Sequence, residues 1–306
     1  MNKIVISNEF DPYYNIAAEY QLFLNADEDT HLFLWQNDAS VIIGRNQNLY
    51  AECDLSYMKE HHINAVRRFS GGGAVYHDKG NVNFTFITKE KTASPQKFIE
   101  MVRSVIAKLG IECEFSGRND LHYKNQKFSG QAYYTDNDNY MYHGTILVSV
   151  DAEPLERALT PSMLKLKSKG IASVKNRVIN LSSIDSEITP ERVKQAFIET
   201  FACGNIEYIN KSNFEAPLEQ MLSSYDWLYS QSPEFEIVLE RRYSFGNVTV
   251  NITSSDGVIQ GVKINTDSLN LFDFKPCEGE LIGVCFSEQA VWKYIERCIA
   301  IHLKLS

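Results

Sequence analysis

Residues 67–86, RRFSGGGAVYHDKGNVNFTF, concentrate groups suited to holding an anion. Gly71, Gly72 and Gly73 lack a Cβ, so their backbone can take positive φ and bring N–H groups close to a ligand. Such a run of amides forms an anion-binding concavity, and Arg67 and Arg68 add fixed positive charge beside it. A glycine-rich hairpin flanked by surface arginines would have the same composition. The stretch is not a P-loop, because Ala74-Val75 stand where a Lys-Ser/Thr pair is required. Nor is it a dinucleotide fingerprint, because β-favouring residues follow where a helix should open.

A second polar cluster, GRNDLHYKNQKFSG, spans 117–130. Strand alternation would put Lys127 and Ser129 on one face, with Arg118, Asn119 and Asp120 at the head of the preceding strand. His143-Gly144-Thr145 forms a third group inside an apolar run. Taken singly, Lys127 reads as a solvated edge lysine and His143 as a satisfied core histidine.

The elements that must carry these residues alternate between helix and strand. Residues 3–6 are expected to be a strand. DPYYNIAAEYQLFLNA is a helix capped by Asp11, with Ile16, Tyr20, Phe23 and Leu24 on one face. HLFLWQ and VIIGRNQN are strands, 53–61 a helix and 63–67 a strand. VNFTFI alternates as a half-buried strand would. Ser94-Pro95 starts a helix with Phe98, Val102, Val105, Ile106 and Leu109 inward and Gly110 at its stop. An edge strand at 111–115 and a hairpin, 119–123 and 127–133, follow, then the strand YMYHGTILVSV. Residues 154–170 read as a basic helix, and Thr189-Pro190 opens a helix closed by Gly204. Beyond SQSPEFE the chain reads as strands turning at Ser255-Asp256-Gly257, with a last helix capped by Ser287. The boundary is placed at about 240, dividing a larger α+β domain, 1–240, from a smaller one, 241–306.

The chain has 306 residues and a net charge of −9, which opposes a broad nucleic-acid footprint while allowing a local cationic site. Six scattered cysteines without a CxxC pair suggest free thiols, mostly buried, in a reducing cytoplasm. The N-terminus is too polar for a signal peptide, and no apolar run is long enough to span a membrane.

Together, DPYYNIAAEY, VIIGRNQN, RRFSGGGAVYHDKGNVNFTF, GRNDL, KFSGQAYY, HGTILV and LTPSMLKLKSKGIASVKNRVINL resemble the lipoate-protein ligases. The distal SPEFEIVLERRYSFGNVTV and INTDSLN resemble that family's C-terminal accessory domain. The glycine stretch alone would suggest only the wider superfamily with the biotin ligases and octanoyl transferases. The resemblance implies an α+β fold: a biotin/lipoate-ligase-like catalytic domain with mixed β-sheets and flanking helices, plus a small α+β accessory domain that moves between two steps. It also implies the reaction. Lipoate attacks the α-phosphate of ATP to give lipoyl-AMP, and a carrier lysine then takes the lipoyl group.

By the same resemblance Lys127 is the catalytic lysine, holding the carboxylate and then the acyl-phosphate oxygen. Arg68, with the backbone of Ser70, Gly71, Gly72 and Gly73, holds phosphates or the acyl carbonyl. Ala74, Val75, Tyr76, His77 and Asn81 receive the nucleotide. Asn119 and Asp120 contact the nucleotide or Mg²⁺, with Asp120 as the candidate metal ligand. Arg68, Gly73, Lys127 and His143 are assigned to lipoate, His143 as a positioning group. ATP, Mg²⁺ and lipoate are the small molecules implied. The partners are lipoyl domains of 2-oxoacid dehydrogenase E2 subunits and the glycine-cleavage H protein, met by a cytoplasmic monomer with no nucleic-acid or membrane partner. Lys165 to Lys169 would provide a basic patch for an acidic carrier.

Two alternatives stay open: a lipoyl or octanoyl transferase working through a cysteine thiolate, and a non-catalytic lipoate-binding homologue. No cysteine lies between Cys113 and Cys203, and the GRGR-type loop of biotin ligases is replaced by RRFSGGG. Gln131 departs from the smaller residues common after SG and is expected to narrow or re-aim the site near Lys127.

Overall fold

The computed structural model describes residues 1–116, 119–159, 178–202, 204–231, 235–268 and 272–305. Arg118, Cys203, the Lys165–Lys169 patch and most of the basic helix expected at 154–170 lie outside them. The described part of that helix, Ala152–Ala158, is helical.

Asp11 starts the first helix, α1 (Pro12–Leu24), by accepting from the amides of Tyr13 and Tyr14 at 2.9 and 3.3 Å. Ile16 and Phe23 are buried as expected, but Leu24 is exposed, because the helix ends there and its last turn leaves the packed face.

Contacts divide the chain into two units, residues 1–45 with 52–224, and 46–51 with 225–306. The chain changes unit after Ser224, whereas the boundary anticipated near 240 falls within the strand Phe235–Tyr243.

The first unit is built on an eight-stranded mixed sheet. Its strands are β1 (Ile4–Ser7), β2 (His31–Trp35), β6 (Asn81–Lys89), β7 (Glu114–Ser116), β8 (Asp120–Tyr123), β9 (Gln126–Asp136), β10 (Asn139–Leu147) and β11 (Ile206–Ile209), in the spatial order β11-β1-β2-β6-β10-β9-β8-β7. β1 pairs in parallel with β2 and β11, and the remaining pairs are antiparallel. A small second sheet orders β4 (Asn64–Arg67), β3 (Ser40–Ile43) and β5 (Val75–His77) side by side.

One face of the large sheet packs on the helices Pro95–Lys108 and Pro190–Phe201, through Phe84, Phe86, Phe98, Tyr142 and Phe197. On the other face α1 lies against β6 and β10. β6 is therefore buried on both sides, and the alternation of VNFTFI does not mark a solvent face. Asn83 and Thr85 are polar because they face the α1 side, where hydrogen-bond partners are available.

Turn chemistry follows the residues. Lys124 and Asn125 both take positive φ between β8 and β9, as a two-residue hairpin turn requires. The helix Pro190–Phe201 closes at Ala202 with φ 50°, two residues before the expected Gly204.

The second unit is an antiparallel meander, Phe235–Tyr243, Gly246–Ser255 and Val258–Thr266, backed by the helices Lys275–Leu281 and Glu288–Leu305. Asp256 and Gly257 take positive φ at the expected turn, and Val291, Ile295 and Ile299 face inward. Residues 46–51 join this unit through Tyr50, whose hydroxyl donates to the Phe286 carbonyl at 2.7 Å. Of the described cysteines, Cys53 and Cys277 are buried, Cys113 and Cys298 half-buried and Cys285 exposed, so burial is less general than expected. No described helix is long and apolar enough to cross a membrane.

Candidate active site

The glycine loop is folded around a guanidinium. Arg68 donates from Nη2 to the carbonyls of Gly71 (2.6 Å) and Gly73 (2.9 Å), from Nη1 to Ile42 O (3.1 Å), and from Nε to Ser70 Oγ (3.0 Å). Burial lowers the Arg68 pKa to about 10. The side chain expected to hold phosphates lines the cavity while its nitrogens are engaged by the loop's own backbone. The peptide bonds among the described residues are all trans, so carbonyls turned onto Arg68 direct the following N–H groups, of Gly72 and Ala74, away from it. Neither N–H has a partner among the described residues. Gly72 sits at φ +94°, and a Cβ there would lie 2.8 Å from Arg68 Nη2. Arg67 is wholly buried and donates to the carbonyls of Gly44 (3.3 Å) and Arg45 (3.0 Å).

The loop borders a cavity of about 130 Å³. Gly72, Gly73, Ala74, Val75 and His77 line one side, and Asn119, Lys127, Gly130 and His143 another. Apolar lining comes from Ile16, Trp35 and Ile42.

A β-bulge aims Lys127. Leu121 pairs with Ser129, but His122 pairs with Lys127, leaving Phe128 as the extra residue. Phe128 and Leu121 enter the helix-side core, and Ser129, opposite Leu121, follows them and is fully buried. The face shared by Lys127 and Ser129 on simple alternation is thereby broken, and Lys127 lies instead with Gly130 and Asp120. Its ammonium is 2.8 Å from Asp120 Oδ1, an oxygen otherwise buried without a hydrogen-bond partner. A Cβ on Gly130 would stand 2.8 Å from that ammonium.

His143 joins the loop to the sheet. Its Nε2 is 2.7 Å from Ser70 Oγ, and its Nδ1 is 2.8 Å from Glu19 Oε1 on α1. Serine, histidine and glutamate fall in the order of a hydrolase triad, yet Ser70 is fully buried and already accepts from Arg68.

Among the remaining expected residues, Tyr76 is buried in β5 beside the Tyr57 and Asp78 side and does not line the cavity. Asn81 is also set back. Its amide donates to Asn83 Oδ1 at 2.8 Å, and Asn83 is the one at the wall. His77 is buried, its Nε2 unpartnered among the described residues, and burial with the nearby Arg68 and His143 lowers its pKa to about 3. Gln131 lines the same cavity as Lys127. Its side chain fills the space over Gly144 next to Phe84, its amide donates to Ser129, and it accepts from the Tyr142 hydroxyl. Glu19, Trp35, Gly44 and Gly130 were not singled out from sequence. Only Glu19 carried a signal, an acid three residues from Ile16 on the buried face of an otherwise apolar helix.

A glycine loop whose Gly72 and Ala74 amides have no partner among the described residues, set across a pocket from a strand-borne lysine on a mixed sheet, fits a ligase-like, carboxylate-activating class of protein. Residues 11–202 match the family model of the lipoyl protein ligase A/B catalytic domain, and 232–304 that of the bacterial lipoate protein ligase C-terminus. The chain belongs to this family, the lipoate-protein ligases, and is an enzyme of that kind. It is similar to the lipoate-protein ligase A of Blochmanniella floridana, 34% identical over 300 residues, covering 93% of this chain and 89% of that protein. Among solved structures it is similar to P. falciparum LipL1 in complex with lipoate, with TM-score 0.66 and 29% identity, covering 97% of this chain and 94% of that one. It also resembles a lipoate-protein ligase A bound with ATP (TM-score 0.57, 22% identity, 72% of this chain and 91% of that one), a likeness of fold.

Proposed function

We propose that this enzyme condenses free lipoate with ATP to form lipoyl-AMP and pyrophosphate, then transfers the lipoyl group to a lysine of a carrier domain. The observation that carries this reading is the joint placement of Lys127 and the amides of Gly72 and Ala74 around one cavity. In the first step two anions must meet, and catalysis requires fixed positive charge where they do. Lys127 neutralises the carboxylate as its oxygen bonds to the α-phosphorus and the bond to pyrophosphate breaks. The loop amides hold phosphate oxygens, while Arg68 acts through the loop it splints. In the second step the carrier's ε-amine attacks the acyl carbon, AMP leaves with the bonding electrons, and the amine loses a proton. The mixed anhydride is already activated, so no enzyme thiol is required, and no cysteine is among the lining residues.

Mg²⁺ fits this site only as a shared ligand. Asp120 offers one half-buried carboxylate, and no group of three or more metal-binding side chains occurs among the described residues. Asp120 would hold the ion together with phosphate oxygens and water, and the ion would supply further charge neutralisation on the phosphates.

The carriers proposed are lipoyl domains of 2-oxoacid dehydrogenase E2 subunits and the glycine-cleavage H protein, met in the cytoplasm by a monomeric enzyme. Incubation with ATP, Mg²⁺ and lipoate should release pyrophosphate and leave bound lipoyl-AMP, and each apo-carrier added afterwards should gain the mass of one lipoyl group. Absence of the adenylate would refute the reading.

A further inference from the structure

We propose that Glu19 is a positioning residue for this reaction: its carboxylate holds His143 as the Nδ1–H tautomer and so, through Ser70, fixes the glycine loop at the pocket. The inference rests on the adenylation reading of that pocket.

Five hydrogen bonds run without interruption through the buried site. Trp35 Nε1 donates to Thr85 Oγ1 (3.3 Å), and Thr85 donates to Glu19 Oε1 (2.6 Å). His143 Nδ1 meets the same oxygen at 2.8 Å, its Nε2 meets Ser70 Oγ at 2.7 Å, and Arg68 Nε donates to Ser70 Oγ at 3.0 Å. Indole and guanidinium can only donate, so the hydroxyl at each end accepts and passes its own hydrogen inward. Glu19 Oε1 then receives hydrogens from both sides. A lone pair on Nδ1 would face that carboxylate and be repelled, so Nδ1 carries the hydrogen.

At the other ring nitrogen, Ser70 has two acceptors in reach. One is Nε2 at 2.7 Å. The other is Gly71 O at 3.4 Å, which Arg68 already occupies at 2.6 Å. Ser70 therefore donates to Nε2. The loop is thus tied by Ser70 to β10, and by His143 to α1, an anchoring that Arg68 alone does not supply. Glu19 is buried, and its hydrogen bonds reach the loop through His143 and Ser70, while its charge also acts on the Arg68 guanidinium.

The test compares the full-length Glu19→Gln and Glu19→Met variants with wild type. Glutamine keeps a carbonyl that accepts both hydrogens, whereas methionine keeps the bulk and removes the acceptor. Adenylation by Glu19→Met should fall about 10- to 100-fold, chiefly in kcat, and Glu19→Gln should restore it to within about threefold of wild type. Separately, ¹⁵N resonances of histidine-labelled wild type, with His143 assigned by a His143→Gln variant, should show Nδ1 protonated and Nε2 bare. Wild-type turnover by Glu19→Met, a Gln variant as impaired as Met, or hydrogen on Nε2 would each overturn the proposal. Failure of wild type to form adenylate would remove the functional reading instead, leaving the ring measurement to decide the tautomer.

Discussion

The ammonium of Lys127 rests 2.8 Å from Asp120 Oδ1, in space that the missing side chain of Gly130 leaves open. The pair is about one-third exposed on the lysine side, so its own contribution to stability is small. In the proposed reaction Lys127, held at the cavity wall by this carboxylate, exchanges it for the substrate's. Lys127→Ala should fold normally and lose adenylation by about 10²- to 10³-fold, in line with removal of one preorganised charge. Pyrophosphate release with ATP and lipoate reads this directly, and unchanged release would exclude Lys127 from the chemistry.

Gly130→Ala tests the same geometry without removing a charge. The new Cβ would lie 2.8 Å from Lys127 Nζ and 3.0 Å from Cε, the far end of a flexible chain. The lysine should swing aside at little cost to stability, and a displacement of about 1 Å lowers rate by about a hundredfold. Thermal unfolding close to wild type, with impaired adenylation, is the expected pair of results.

Gly44→Ala should act through the backbone instead. Its Cβ would be 2.2 Å from Gly72 O and 3.2 Å from Gly71 C, so the glycine loop itself must move. Loss of about 1–3 kcal/mol in denaturant unfolding is expected from overpacking, together with reduced adenylation. A variant as stable and as active as wild type would show that the two loops do not depend on their close approach.

His77 supplies a pH dependence of stability. Its pKa falls from 6.5 to about 3 on folding, so between those values the unfolded chain binds the proton and the folded one does not. The stabilisation it provides is complete above pH 6.5 and is lost progressively as pH falls toward 3. At pH 4 the difference is on the order of 3 kcal/mol. Denaturant titrations of wild type and His77→Asn at pH 7 and pH 4 should show the wild type losing more, and parallel losses would contradict the assignment.

Much of this was legible in the chain itself. Asp11 and Pro12 announced α1, Ser94-Pro95 and Gly110 bounded the next long helix, and RRFSGGG, KFSG and HGT announced the family and the residues that meet at the cavity. These are local matters. A cap, a turn or a residue without Cβ acts on its immediate neighbours, so its effect can be read from sequence. Arg68 shows where this stops. Its charge was evident, but its direction depends on acceptors that only folding brings near, among them Ile42 O, 26 residues away.

The sequence by itself therefore determined the family, the glycine loop and the catalytic candidates, because those rest on residue type and short-range backbone freedom. The tertiary structure alone decided that Arg68 splints the loop, that a bulge at Phe128 turns Lys127 toward Gly130, that Glu19 meets His143 and that Gly44 packs on the glycine loop. Each of these depends on strand register or on contact between segments distant along the chain, which residue types and local spacing do not encode directly.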